Sequence, residues 1–262
     1  MENLYIIKIG GNVIDNSENL HNFLNDFASL DGHKILIHGG GKIATDLSRT
    51  LGIEPQMVEG RRITDIETLR VVTMVYAGLI NKNITAQLHR YGCNAIGVTG
   101  ADANLIRAKK RPVKEIDYGF VGDLDETSVN RSALSALLQE KMVPVFSAIT
   151  HDGQGQLLNT NADTIAASLA VALSSLFNVR LVYCFEKKGV LKDLNDEESI
   201  LREISSSQFD SLKEQNVIAG GMLPKLQNAF LAIRHGVAEV YIGKSDELSH
   251  LKDNLFGTRL FA

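Results

Sequence analysis

Apolar residues along this chain gather into short runs, at 5–9, 34–38, 95–99, 143–148, 181–185 and 239–242, separated by longer stretches of helical period. Runs this short and this rich in Ile, Val and Leu read as strands, and their alternation with helices predicts an α/β fold with a largely parallel sheet. Thr64 and Asp65 are capping candidates ahead of a segment with apolar residues at Leu69, Val72, Val75, Tyr76, Leu79 and Ile80. That pattern predicts a long helix ending near Gly92. The stretch 103–127 is different: Arg107, Lys109, Lys110, Arg111, Pro112 and Gly119 interrupt any period, as a surface hairpin or excursion would, either a lid or a solvated loop. The weakest seam lies between Leu176 and Leu181, which divides the chain into lobes 1–178 and 179–262.

Composition narrows the class. At 262 residues, 44% hydrophobic and 22% charged, the chain can bury one large core or two lobes. A net charge of −4 with scattered lysines and arginines gives no footprint for nucleic acid, and no such partner is expected. Cys93 and Cys184 lie far apart without a CxxC spacing, so they read as buried thiols rather than metal ligands or a disulfide, and no protein-held metal site is expected. No signal-peptide pattern opens the chain and no apolar stretch is long enough to span a bilayer. The expectation is a cytoplasmic protein with no membrane partner.

Chemistry enters with glycine. The first run carries Lys8 near its end and stops at Gly10 and Gly11; the second meets His38 and then Gly39, Gly40 and Gly41. Glycine lets backbone N–H groups approach a ligand where a Cβ would clash, and a helix start just beyond adds partial positive charge, so both loops are phosphate candidates as well as tight turns. Standard nucleotide motifs are missing. Gly243, Lys244 and Ser245 end a GxxxxGK[ST] pattern, but Ala238 stands where its first glycine belongs, and no GxGxxG follows the first strand. Three further segments stand out: 156–163, with Asn159, Asn161 and Asp163 at the mouth of a helix; Gly220 and Gly221 leading to Pro224 and Lys225; and Gly60, Arg61 and Arg62. Each taken singly is explained by a helix cap, a helix start or a solvated arginine pair.

Together, IIKIGGN, HGGGK, EGRRIT, GQLLNTNAD and GGMLPK, in that order and over essentially the whole chain, resemble the amino-acid kinase family and, within it, the N-acetylglutamate kinases. The resemblance implies an open, mainly parallel sheet sandwiched between helices. The N-terminal lobe would serve acyl-glutamate binding and dimerisation, and the C-terminal lobe ATP. Carried over, Lys8 and Lys225 would flank the transferring phosphoryl group, with Asp163 holding both in place. Gly40, Gly41, Arg62 and Asn159 would bind the substrate, and Gly10, Gly11, Gly220 and Gly221 the phosphates. Mg²⁺ would come with ATP.

The implied reaction converts an N-acyl-L-glutamate and ATP to the acyl-glutamyl phosphate and ADP, a phosphotransfer to carboxylate on the way to arginine. An acetyl or a succinyl acyl group would use the same grips. Another member of the fold, or a non-catalytic nucleotide-binding regulatory module, are the alternatives. One segment departs from the pattern: where relatives carry a TDVxG-like turn, this chain reads Phe185, Glu186, Lys187, Lys188 and Gly189. Met1 lies only a few residues before the first strand, leaving no extra N-terminal helix of the kind that links arginine-inhibited relatives into hexamers. A homodimer insensitive to arginine is therefore expected.

Overall fold

The computed structural model describes residues 1–58, 60–193, 196–214 and 222–262. All the predicted runs become strands of one eight-stranded sheet: β1 (Asn3–Ile9), β2 (His33–His38), β3 (Ala95–Val98), β4 (Val143–Ser147), β5 (Asn178–Phe185) and β7 (Glu239–Lys244). Two short strands without a strong apolar run complete it, β6 (Glu203–Ser205) and β8 (Thr258–Phe261). The order is β6-β8-β7-β5-β1-β2-β4-β3, parallel throughout except between β7 and β8. β6 and β8 owe their place to each other and to β7, a long-range pairing that local sequence does not announce.

In β4 every residue is buried, and in β2 all but His33. Burial without alternation means that helices cover both faces, the usual state of a parallel sheet. The helix Ala162–Leu173 packs on β1, β2 and β5 and against the helix Met222–Arg234, while Ser17–Ser29 packs against Asn81–Arg90. Phe23, Phe27, Phe146, Phe230, Tyr241 and Phe256 are the largest side chains inside the resulting core. Cys93 and Cys184 are buried free thiols, as expected. The boundary drawn at 178/179 falls at the first residue of β5; β1–β4 precede it, and β1 and β5 are hydrogen-bonded side by side at the seam. Among the described residues, no helix is long and apolar enough to cross a membrane.

The long helix begins where predicted, with Asp65 accepting the Thr68 N–H at 2.7 Å, and stops before Gly92, whose φ of +78° ends it. Its middle differs from the expectation. Residues Met74–Ile80 form a π-helix between the α-helical parts Ile66–Thr73 and Asn81–Arg90. An i→i+5 turn leaves no mark on a 3.6-residue hydrophobic period, which is why the pattern did not show it. Tyr76 and Ile80 on this stretch press on Gly40: a Cβ there would stand 2.2 Å from Ile80 Cδ1 and 3.1 Å from Tyr76 Cδ1. With φ at +148°, Gly40 is required twice over.

The excursion at 103–127 includes the predicted hairpin, Lys109–Lys110 paired with Gly122–Asp123. Its basic run is matched with acid: Arg111 donates Nε and Nη2 to Asp123, and Lys109 lies 2.7 Å from Asp125. Two backbone bonds, Thr64 N–H to Tyr118 and Phe120 N–H to Thr64, tether the excursion beside Arg62.

His38 is fully buried at the end of β2. Asn81 donates from Nδ2 to Nε2 at 3.1 Å, so Nδ1 carries the proton and donates to the Gly39 carbonyl at 2.8 Å. Burial pushes its pKa down to about 4 from an ordinary 6.5. As pH falls below 6.5 the unfolded chain takes a proton at this position that the folded chain refuses until pH nears 4. Stability is therefore complete above 6.5 and lost across that window, by about 2 kcal/mol at pH 5. Denaturant titrations at pH 7 and pH 5 should show that loss, and His38→Gln should remove most of the difference.

Candidate active site

Parallel strands point their C-terminal ends to one edge, and ligands of open α/β sheets bind there, where the strand order reverses. Here β1 lies at the reversal, between β2 and β5. Its exit turn holds Gly10 and Gly11, and the exit of β2 holds Gly39, Gly40 and Gly41.

Lys8 sits one residue from the end of β1, in register with Ile37 of β2 and Tyr183 of β5. Its side chain is only 12% exposed, and its Nζ lies 2.8 Å from Asp163 Oδ1. Asp163 occupies the first turn of the helix Ala162–Leu173. Asn161 is that helix's N-cap, accepting the Thr164 N–H at 3.0 Å, so Asp163 is free for the lysine. Lys225, in the first turn of Met222–Arg234, comes to the same place from the opposite side of the sequence. Burial pushes its pKa down; Asp163 draws it up, Lys8 pushes it further down and Glu186 draws it up. Two ammonium groups more than two hundred residues apart thus share one carboxylate's field.

On one side of this centre lies a cavity of about 230 Å³ lined by Gly40, Gly41, Arg62, Tyr76, Arg111 and Asn159 among others. Arg62 is 8% exposed. Its Nη2 donates to the Gly41 carbonyl at 2.9 Å and to Thr45 Oγ1 at 2.8 Å, while Nη1 is buried with no hydrogen-bond partner among the described residues. A guanidinium fixed at one nitrogen and unsatisfied at the other is set to grip an anion. Asn159 is held by a bond from Nδ2 to Thr64 Oγ1 at 3.0 Å. On the other side a cavity of about 780 Å³ is lined by Gly10, Gly11, Phe185, Glu186, Lys225 and Lys244. A Cβ at Gly10 would meet nothing within 4 Å among the described residues, so their packing does not explain that glycine.

The predicted residues therefore form two cavities with a charged centre between them. Gly220 and Gly221 lie outside the described residues. The sequence does not single out Thr45, which orients Arg62; Thr64, which orients Asn159, stands there only as a capping candidate and Tyr76 only as a core position. No local signal marks them. Phe185 was visible only as a departure from the family pattern; the structure places its ring against both lysines, 3.7 Å from Lys225 Nζ to the centroid and 5.6 Å from Lys8 Nζ.

A parallel sheet with cationic groups and glycine turns converging at its switch point, beside two cavities, is the class of α/β site whose charge and backbone donors suit anionic ligands. The sequence matches the model of the amino acid kinase family over residues 3–244, and the chain belongs to that family. It is 56% identical to a protein of Bacteroides thetaiotaomicron named acetylglutamate kinase, across 99% of this chain and 98% of that one. Identity to an acetylglutamate kinase of Cytophaga hutchinsonii is also 56%, over 100% of both chains. The fold is shared with carbamate kinase from Giardia lamblia at a TM-score of 0.69 and 14% identity, covering 99% and 98% of the two chains.

Proposed function

We propose that this chain phosphorylates the side-chain carboxylate of N-acetyl-L-glutamate, using ATP, to give the acetylglutamyl phosphate and ADP. The observation that carries the reading is the 56% identity, over nearly the whole of both chains, to a protein named for that reaction. The site's chemistry supports it. The accepting carboxylate is already ionised near neutral pH, so no general base is needed. What the reaction needs is two mutually repelling anions held in line and charge stabilised on the phosphoryl group as it moves.

In this reading Arg62, through its unsatisfied Nη1, and Asn159 hold the substrate's α-carboxylate and neighbouring groups, with Gly40 and Gly41 alongside. Gly10 and Gly11 offer N–H groups to the phosphates from the 780 Å³ cavity. Lys8 and Lys225 flank the phosphoryl group in flight, and Asp163 fixes their positions. The lobe 1–178 takes the acyl-glutamate and 179–262 the nucleotide. Mg²⁺ belongs to the same reading as a companion of ATP: among the described residues no group of three or more His, Cys, Asp or Glu could hold a metal ion, and phosphate oxygens with water are the donors this ion favours. When bound there it would screen the charge of the triphosphate. A homodimer is also part of the reading, supported by the exposed apolar side chains of Met74 and Leu79 on the long helix.

Initial rates with ATP on acetylglutamate, succinylglutamate, free glutamate and uridylate test the proposal. Acetylglutamate is expected to give substrate-dependent ADP release at the highest kcat/KM. ATP binding without any such release would assign the chain to a non-catalytic nucleotide-binding role.

A further inference from the structure

Phe185 is the last residue of β5, and its ring lies beside both ammonium groups. It stacks on Tyr183, two positions earlier on the same face of the strand, with centroids 6.0 Å apart and planes 18° from parallel. The Tyr183 hydroxyl donates to the backbone carbonyl of Asp163 at 3.4 Å. A column of two rings is thus tied to the start of the same helix whose Asp163 side chain pairs with Lys8.

Two cations held close repel, and Lys8 disfavours the charged form of Lys225. Asp163 is ion-paired with Lys8 and reaches Lys225 through its field, while the Lys225 ammonium itself rests on the ring. Glu186 also draws on Lys225 through its field, but a carboxylate in direct contact would cancel the charge that the phosphoryl group requires. An aromatic face attracts a cation through its quadrupole and carries no net charge. We propose that Phe185 is a positioning residue whose ring face holds Lys225, and more distantly Lys8, at the reaction centre while leaving the charge of Lys225 uncancelled. This inference rests on the acyl-glutamate kinase reading. It gives the departure from the family pattern at 185–189 a physical role at its first position.

Fluorination tests it, because fluorine drains electron density from the ring face while nearly preserving its shape. With one, two and three fluorines introduced site-specifically on Phe185, kcat should fall stepwise, by about tenfold at three, with the acetylglutamate KM within about twofold of wild type. Phe185→Leu should lose about as much, and Phe185→Tyr should restore most of it. A flat fluorine series overturns the assignment, whatever Phe185→Leu does, since a ring that merely filled space would tolerate fluorine. That series also decides the matter if the leucine variant does not fold. Wild-type turnover with a flat series overturns the Phe185 assignment alone; absence of wild-type acetylglutamyl phosphate overturns it together with the reading on which it rests.

Discussion

Lys225→Met is expected to lower kcat by about two orders of magnitude, the scale of losing one preorganised contact to charge that develops in the transition state. Its fold should survive. The methionine side chain spans much the same space at this exposed position, and the change removes a cation whose charge is disfavoured by desolvation and by Lys8. Stability in denaturant should therefore stay level or rise slightly while turnover collapses. Steady-state kinetics beside an unfolding curve would separate the two effects. A kcat within a few-fold of wild type would show that Lys225 does not reach the transferring group.

Arg62→Ala is expected to act mainly on the other parameter, raising the KM for acetylglutamate by about 10- to 100-fold, the range for losing a charge-assisted hydrogen bond. The contact would exist before and during transfer alike, so kcat should change much less. Some local stability goes with it, since the Gly41 carbonyl and Thr45 Oγ1 lose their donor. Measuring both KM values is decisive. Were Arg62→Ala to weaken ATP and Lys225→Met to weaken acetylglutamate, the two lobes would exchange their assignments.

Much of this architecture was legible before any coordinates. Every predicted run became a strand, because a strand buried on both faces must be apolar along its whole length and so stands out against amphipathic helices. Lys8, Gly10, Gly11, Gly40 and Gly41 were legible for a related reason: a lysine or a glycine cluster at the end of such a strand breaks the pattern at the edge where ligands bind. Asp163 was visible but ambiguous, since either it or Asn161 could have capped its helix; only the observed bond from Thr164 to Asn161 released it to Lys8. Tyr76 was hidden by its own hydrophobicity, and its neighbours' π-helical turn has no counterpart in an apolar period.

By itself, then, the order of residues determined an α/β chain of parallel strands with glycine turns at their ends, since period, run length and steric freedom are local properties. What tertiary structure alone decided was the meeting of Lys8, Asp163, Phe185 and Lys225 around one point. Each reaches it from a different element, β1, the helix Ala162–Leu173, β5 and the helix Met222–Arg234. Convergence of that kind depends on strand order and helix packing, which no window of neighbouring residues contains.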